Sequence, residues 1–292
     1  MDWQSQIITI YLIVCKLWDK GISVKAQRFS NNNKPALTDQ EVMTIYIFGV
    51  LNHNSNDKQI YQFSDQFLRG WFPELKGYDA FVYRLNRLGE CFCVLTELVG
   101  ENQEAKGFFP DWLIDSMPIV QAKNKRSSSA KVSNEISSKG YCASKDMYYY
   151  GVKLHVVGMS ISGQIPFPRI ALLTTASEHD IKPLDYIESS LHNINLFADK
   201  AYCDETKEKR LCKERNIELY TPRKDIKGIK PLKSRDCYST GVSQARQPIE
   251  SFFSWLDAKT QIQNAAKPRS IKGLIVHVFG KLAAVMIALA FL

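Results

Sequence analysis

The apolar positions of this chain keep two different periods, and the change between them divides it. Up to about residue 105 they recur at helical spacing. Ile7, Ile8, Tyr11, Leu12, Cys15 and Trp18 follow one such rhythm. Asn31 to Pro35 reads as a loop. Thr38-Asp39-Gln40-Glu41 fits a capping box, with Thr38 as N-cap and Glu41 reaching back, and opens a helix through Leu51. Asp79 to Val99 predicts a further helix. No strand alternation and no cluster of catalytic groups stands out, so residues 1–105 read as an all-α domain for binding or assembly rather than chemistry.

From residue 106 the pattern becomes short apolar runs separated by turns. Trp112 to Asp115 predicts a short buried strand. Tyr148 to Met159 and Ile165 to Thr175 predict two strands joined by a turn at Ser162-Gly163. Asp180 to Leu191 predicts a helix, Ile194 to Asp199 a strand, Glu205 to Arg215 a helix and Ile217 to Thr221 a strand. Ser243 to Thr260 and Ile271 to Phe291 predict the last two helices. Lys123 to Lys139, rich in Ser and Lys, reads as a flexible basic loop. Arg223 to Arg235 reads as a second, with six Lys or Arg and one acid, Asp225. The expected fold class is α/β: a mixed sheet flanked by helices over 106–292, preceded by the all-α segment.

A length of 292 residues suits two domains, and 45% hydrophobic with 23% charged residues describes a globular chain rather than a disordered one. The net charge of +8 is unevenly placed. Residues 200–272 hold 17 Lys and Arg against 9 Asp and Glu, while the rest is balanced at 21 against 21. Such a basic surface attracts polyanions, DNA above all. Seven cysteines without a C-x-x-C pair or a zinc-like spacing read as reduced thiols in a cytoplasmic protein. The amino terminus, with Asp2 and no basic stretch, does not read as a secretory signal. The apolar stretch from Leu274 to Leu292 carries His277 and Lys281 four apart, on one helical face, and reads as a buried helix rather than a membrane span.

The candidate chemistry is acidic. Asp115 and Asp199 each end an apolar run, and Glu250 lies on a helix four residues after Arg246. Ligand sites of α/β sheets gather at the carboxyl ends of strands. Two neighbouring carboxylates there repel each other and call for a cation, and Mg²⁺ takes such oxygen ligands. Ile249, Phe252, Phe253 and Leu256 form the apolar face of the helix, with Glu250 at its edge and Arg246 in the same stripe. Each residue alone has an ordinary reading, an exposed ion pair for Arg246 and Glu250, a turn or cap for either Asp; the set is what points to a metal site. Lys123, Lys125, Arg126 and Lys131 in the first basic loop, and Arg223, Lys224, Lys227, Lys230, Lys233 and Arg235 in the second, are expected to contact phosphates. Lys153 and His155 share one sheet face, and His179 precedes a helix.

The segments W-L-I-D-S-M-P-I (112–119), L-F-A-D-K-A-Y (196–202) and R-Q-P-I-E-S-F-F (246–253) resemble the three catalytic segments of DDE transposases of bacterial insertion sequences, most nearly the family numbered nine-eighty-two. Y-Y-G-V-K-L-H (149–155) and A-S-E-H-D (176–180) resemble supporting segments of that catalytic domain, and the resemblance runs through most of 108–292. It implies a ribonuclease H-like catalytic domain over 106–292 and a DNA-binding or assembly domain over 1–105. It implies two divalent ions, Mg²⁺ or Mn²⁺, held by Asp115, Asp199 and Glu250, with Arg246 beside them. The partners would be double-stranded DNA, both terminal inverted repeats and target, and a second copy of the chain on that DNA, with no membrane. The place of action would be the bacterial cytoplasm, at the nucleoid. Related groups carry a Tyr three before the Arg and a Lys seven after the Glu; Ser243 and Asp257 stand there, and Lys259 is the substitute considered for the Lys.

Other readings share parts of this pattern. A nuclease or junction resolvase would use the same carboxylates without joining strands. A decayed transposase would bind DNA and do no chemistry. A glycosidase also pairs carboxylates, but no aromatic sugar platform surrounds these acids and a basic surface does not suit a neutral sugar.

Overall fold

The computed structural model describes residues 1–27, 35–223 and 237–292. Most of the expected loop at 31–35 therefore lies outside the described residues, as do Lys224, Lys227, Lys230, Lys233 and Arg235 of the second basic segment.

The described residues before the sheet are helical: α1 (Trp3–Leu17), continued by a π turn (Trp18–Ile22) and a short helical turn (Ser23–Lys25), then α2 (Asp39–Leu51), α3 (Asp57–Phe67), α4 (Tyr78–Arg87) and α5 (Gly89–Glu104). The capping box forms as expected, with Glu41 N donating to Thr38 Oγ1 at 3.2 Å and Thr38 N to Glu41 Oε2 at 2.6 Å. The helical rhythm expected from Ile7 is realised in α1, though it does not pick out the buried face, and one later helix differs from expectation. The buried stripe of α1 is Ile7, Ile10, Val14 and Leu17, whereas Ile8, Tyr11 and Leu12 are exposed. The helix is apolar on more than one side, so spacing alone selects no face; packing against α2 does. The helix expected from Asp79 to Val99 is two helices, broken at Leu88. The last helix passes close to the next residue, Gly89: a Cβ there would stand 3.1 Å from the Ile275 side chain. Arg84 Nη2 then ties α4 to the start of α2 through Asp39 Oδ1 at 2.6 Å.

The sheet contains β1 (Asp111–Lys123), β2 (Ser138–Cys142), β3 (Met147–Met159), β4 (Phe167–Thr175), β5 (Ile194–Phe197) and β6 (Ile217–Tyr220). Its order is β2-β3-β1-β5-β6, with β4 also on β3. β2 lies against residues 147–151 of β3 and β4 against 152–159, so the two share one edge end to end. β1 runs antiparallel to β3 and parallel to β5, and β5 parallel to β6. This is the mixed, helix-flanked sheet behind a helical region that the pattern predicts, and it is consistent with a ribonuclease H-like fold.

β1 is far longer than the four residues expected, because Ser116, Pro118 and Gln121 interrupt the apolar run without ending the pairing to β3. The expected loop from Lys123 to Lys139 contains a 3₁₀ turn, Asn124–Ser128, and the first residues of β2. The helix expected from Asp180 to Leu191 shortens to α6 (Pro183–Ile187) and a 3₁₀ turn. α7 (Glu205–Arg215) has the expected bounds.

α8 (Cys237–Thr260) carries Pro248 in its interior and buries Ile249, Phe252, Phe253 and Leu256 as expected. α9 (Ile271–Phe291) is long and apolar enough to cross a membrane, but it sits in the core against α2 and α5. His277 Nε2 meets Ile262 O at 2.8 Å and Lys281 Nζ donates to Gln261 O at 3.4 Å, so both polar residues face one loop. A single cluster of buried side chains runs from Ile7 in α1 to Ile287 in α9, through the sheet.

Burial pushes the Lys281 ammonium down to about 7, against the pull of Asp57 and Asp257. The folded chain therefore binds fewer protons here than the unfolded one, and stability at this site rises with pH between about 7 and 10.5. Replacing Lys281→Met should raise the urea midpoint most below pH 7. The gain should shrink as pH climbs toward 10; a gain that is flat with pH would contradict this account.

Candidate active site

The side chains of Asp115, Asp199, Arg246 and Glu250 come from β1, from the turn after β5 and from α8. The last registered pair between β1 and β5 is Leu113 with Phe197. Two residues further on each chain stand Asp115 and Asp199. Asp199 follows the end of β5 as expected and caps a 3₁₀ turn, its Oδ1 accepting from Lys200 N at 2.7 Å. Asp115 differs from the expectation: it lies inside β1, opposite Val156 of β3. What frees its side chain is that the partner strand on the other side, β5, has already ended.

Asp115 Oδ1 accepts from Ser116 N at 2.7 Å, and Arg246 Nη1 donates to Asp115 Oδ2 at 2.8 Å. Arg246 Nη2 also pairs with Glu250 Oε1, one helical turn on. One guanidinium thus joins two acids 135 positions apart in the chain, through a contact that spans 131 residues. Arg246 and Asp115 are mostly buried, whereas the Glu250 side chain is 53% exposed and free to turn. Arg246 Nε is buried and has no hydrogen-bond partner.

Burial pushes the Asp115 carboxyl up to about 6; Arg246 and the Ser116 amide oppose this, and the charges of Asp199 and Glu250 add to it. Three carboxylates therefore share one guanidinium, and the site holds a surplus of negative charge. Among the described residues no group of three acidic, His or Cys side chains is drawn close enough to hold an ion in this arrangement, with Arg246 lying between Asp115 and Glu250. The donor set nevertheless fits a hard divalent cation: all oxygen, with excess negative charge and one mobile carboxylate.

Two neighbours escape the sequence reading. Tyr202 is buried with its hydroxyl unpartnered, and after burial the charges of Asp115, Asp180 and Asp199 hold it well above its ordinary pKa. Asp180 Oδ1 accepts from Ser116 Oγ and from Lys153 Nζ, each at 3.0 Å. Lys153 also donates to Glu178 O at 2.8 Å. Lys153 and His155 do share a face, but it is buried, with His155 Nε2 on Thr174 Oγ1 at 2.9 Å and its imidazole pushed down to about 4 by burial. Asp180, Lys153 and Ser116 all lie in the segments that carry the resemblance (176–180, 149–155 and 112–119), but nothing local marks their pairing.

The remaining candidates are placed as follows. His179 is exposed and lines a groove of about 380 Å³ with Asp180 and Lys153. Lys123, Lys125, Arg126 and Lys131 are all exposed around the 3₁₀ turn. Arg223 sits 5.5 Å from the Tyr238 ring. Ser243 Oγ donates to Ser239 O, and Asp257 Oδ1 accepts from Gln263 N, so both departures from the resemblance serve local structure. Lys259 is exposed in the last turn of α8.

The family described as transposase DDE domain matches residues 111–271, which span β1 to the start of α9. No curated protein matches the chain.

A carboxyl raised to about 6 from 3.8 makes ionised Asp115 a destabilising group, fully so above pH 6 and not at all below about 4. Asp115→Asn should therefore raise the unfolding midpoint at pH 7.5 by a few degrees, on the order of 2–3 kcal/mol, and by much less at pH 4. Millimolar Mg²⁺ or Mn²⁺ should raise the midpoint of the parent and leave that of the variant where it was. A parent indifferent to both ions would contradict a cation site here.

Proposed function

The chain belongs to the transposase DDE domain family, and from that premise we propose that it cuts the ends of its own insertion sequence and joins them to target DNA. The proposal extends to a ribonuclease H-like catalytic domain over 106–292, a DNA-binding and assembly domain over 1–105, and membership in the family numbered nine-eighty-two. The observation that carries it is the Arg246 bridge, which holds Asp115 and Glu250 together, with Asp199 in the turn that follows the neighbouring strand.

Asp115, Asp199 and Glu250 would hold two divalent ions, Mg²⁺ or Mn²⁺. When bound, these supply Lewis-acid activation for in-line displacement at phosphorus, first by water and then by a DNA 3′-hydroxyl. The chain's own groups position and neutralise. Glu250 turns from Arg246 toward the two aspartates. Arg246, released from Asp115 and Glu250, presents its two Nη groups to a phosphate oxygen pair, the geometry in which a guanidinium is strongest. Tyr202 keeps a spare buried hydroxyl that would serve the aspartates as a donor. Lys153 and Asp180 hold Ser116, and through it the backbone that carries Asp115. Lys123, Lys125, Arg126 and Lys131, with the segment from Arg223 to Arg235, bind DNA backbone, while the helices of 1–105 read the terminal repeat. Joining two ends to one target requires two such sites, so a homodimer on the DNA, at the nucleoid, belongs to the same proposal.

Incubating the chain with terminal-repeat DNA, Mg²⁺ and a supercoiled target should give joined products. Cleavage without joining would leave a nuclease. Asp115→Asn, Asp199→Asn and Glu250→Gln should each abolish both steps while retaining DNA binding. Arg246→Ala should slow cleavage roughly 10²–10³-fold, as expected for removing a charge aimed at the reacting phosphate. Neutralising Lys227, Lys230 and Lys233 together should weaken binding to every duplex alike and flatten its salt dependence. A loss confined to terminal-repeat DNA would overturn that division of labour.

A further inference from the structure

The far end of β1 carries a second polar site, distinct from the carboxylates. Its register with β3 shifts between Val120 and Ala122, which leaves Gln121 in a bulge. Gly151 makes this possible, since a Cβ there would stand 2.0 Å from Ile119 O. The segment after α8 then pairs with the same place: Val120 N donates to Gln263 O at 2.7 Å and Ala265 N to Val120 O at 2.9 Å. That pairing brings Lys267 and Arg269 beside Gln121 and Tyr150, with Arg126 and Lys131 opposite, around a cavity of about 490 Å³.

Among the described residues, four cations line this cavity and no acid does. Two buried polar atoms there lack partners: the Tyr150 hydroxyl and Gln121 Nε2, whose own Oε1 is taken by Ser137 Oγ at 2.6 Å. Burial, and after it the carboxylate of Glu135, raise the Tyr150 pKa, so its hydroxyl remains a donor at neutral pH. Buried donors without acceptors are uncommon, and here they share a cavity with four positive side chains. The ligand that satisfies them is an anion with several acceptor oxygens.

We propose that this cavity is a phosphate-binding site for the DNA backbone, held by Arg126, Lys131, Lys267 and Arg269 with hydrogen bonds from Tyr150 and Gln121. Six residues of strand separate Gln121 from Asp115, about 20 Å at the strand rise. Along the axis of a duplex laid parallel to β1, that length covers about six base pairs. The cavity therefore grips a phosphate roughly six nucleotides from the one cut at Asp115 and fixes how far the duplex can slide. This inference rests on the reading of the chain as a DNA-cutting enzyme.

The test is binding without cleavage, by fluorescence anisotropy of a terminal-repeat duplex in EDTA. Lys267→Ala/Arg269→Ala, both exposed positions, should bind at least 10-fold more weakly at 0.1 M salt, with a log–log salt slope shallower by about one to two. Tyr150→Phe should weaken binding a few-fold and leave the slope unchanged. A single neutral methylphosphonate, walked along the strand, should weaken the parent at about six nucleotides from the cleavage site and leave the double variant unaffected. A double variant that binds as tightly as a parent that does bind DNA overturns this inference alone. So does a cavity that answers only to inorganic phosphate, with the melting midpoint raised in a Tyr150-dependent way and DNA affinity untouched. A parent that binds no DNA of any sequence overturns the functional reading as well.

Discussion

The apolar face of α8 packed on β1 is the contact on which the rest of the site depends. Ile249, Phe252 and Leu256 are fully buried and Phe253 nearly so. Each is worth roughly 1.5–3 kcal/mol of burial, whereas the attraction within a mostly buried ion pair such as Arg246–Asp115 is largely offset by the desolvation of its two charges. Packing therefore decides where the helix lies, and the Arg246–Asp115 pair is a result of that placement rather than its cause. Once the helix is seated, Arg246 and Glu250 have little choice but to face the strand that carries Asp115. The chemistry is held by hydrocarbon, which allows the polar groups themselves to rearrange without loosening the fold.

That arrangement is electrostatically unbalanced. Burial alone would keep Asp115 protonated well above the ordinary carboxylate range, and the other two acids push the same way. A single guanidinium offsets part of this. The result is a cluster that tolerates one proton or welcomes one more cation, the condition under which a pH near 6 becomes meaningful for a carboxylate. The Lys153–Asp180–Ser116 set beside it has a different character: it is neutral in sum and closed by hydrogen bonds on its own members.

Much of this was legible from residue pattern, and the failures share a cause. Elements closed by local signals came out where expected: the capping box at Thr38, α7, the β3–β4 hairpin, the buried stripe of α8 and the full extent of α9. Elements decided by distant partners did not. α1 is apolar on two sides, and packing, chiefly against α2, determines which is buried. The break at Leu88 answers to the approach of Ile275 from the far end of the chain. β1 continues through Ser116 and Pro118 because β3 supplies a partner for each residue from Trp112 to Val120. For the site, the three acids and Arg246 could be picked out because they sit on short patterned segments. Tyr202 and Asp180 gain their meaning from burial against those acids, and burial is a property of the assembled fold. The cavity at Gln121 is still further from view, since it needs the bulge, Gly151 and the return of residues 261–269 together.

Pro248 lies midway between Arg246 and Glu250. Lacking an amide hydrogen, it removes one rung from the helical ladder, leaving the carbonyl of Gln244 without its usual donor. Bending stiffness is therefore lowest at the very turn that spans the arginine and the glutamate. Below that point the helix is clamped by Phe252, Phe253 and Leu256; above it, by Val242 alone among its buried residues. A small tilt of the upper segment would carry the guanidinium away from its two acids while the glutamate stayed anchored, as on a lever with an imino acid for its fulcrum.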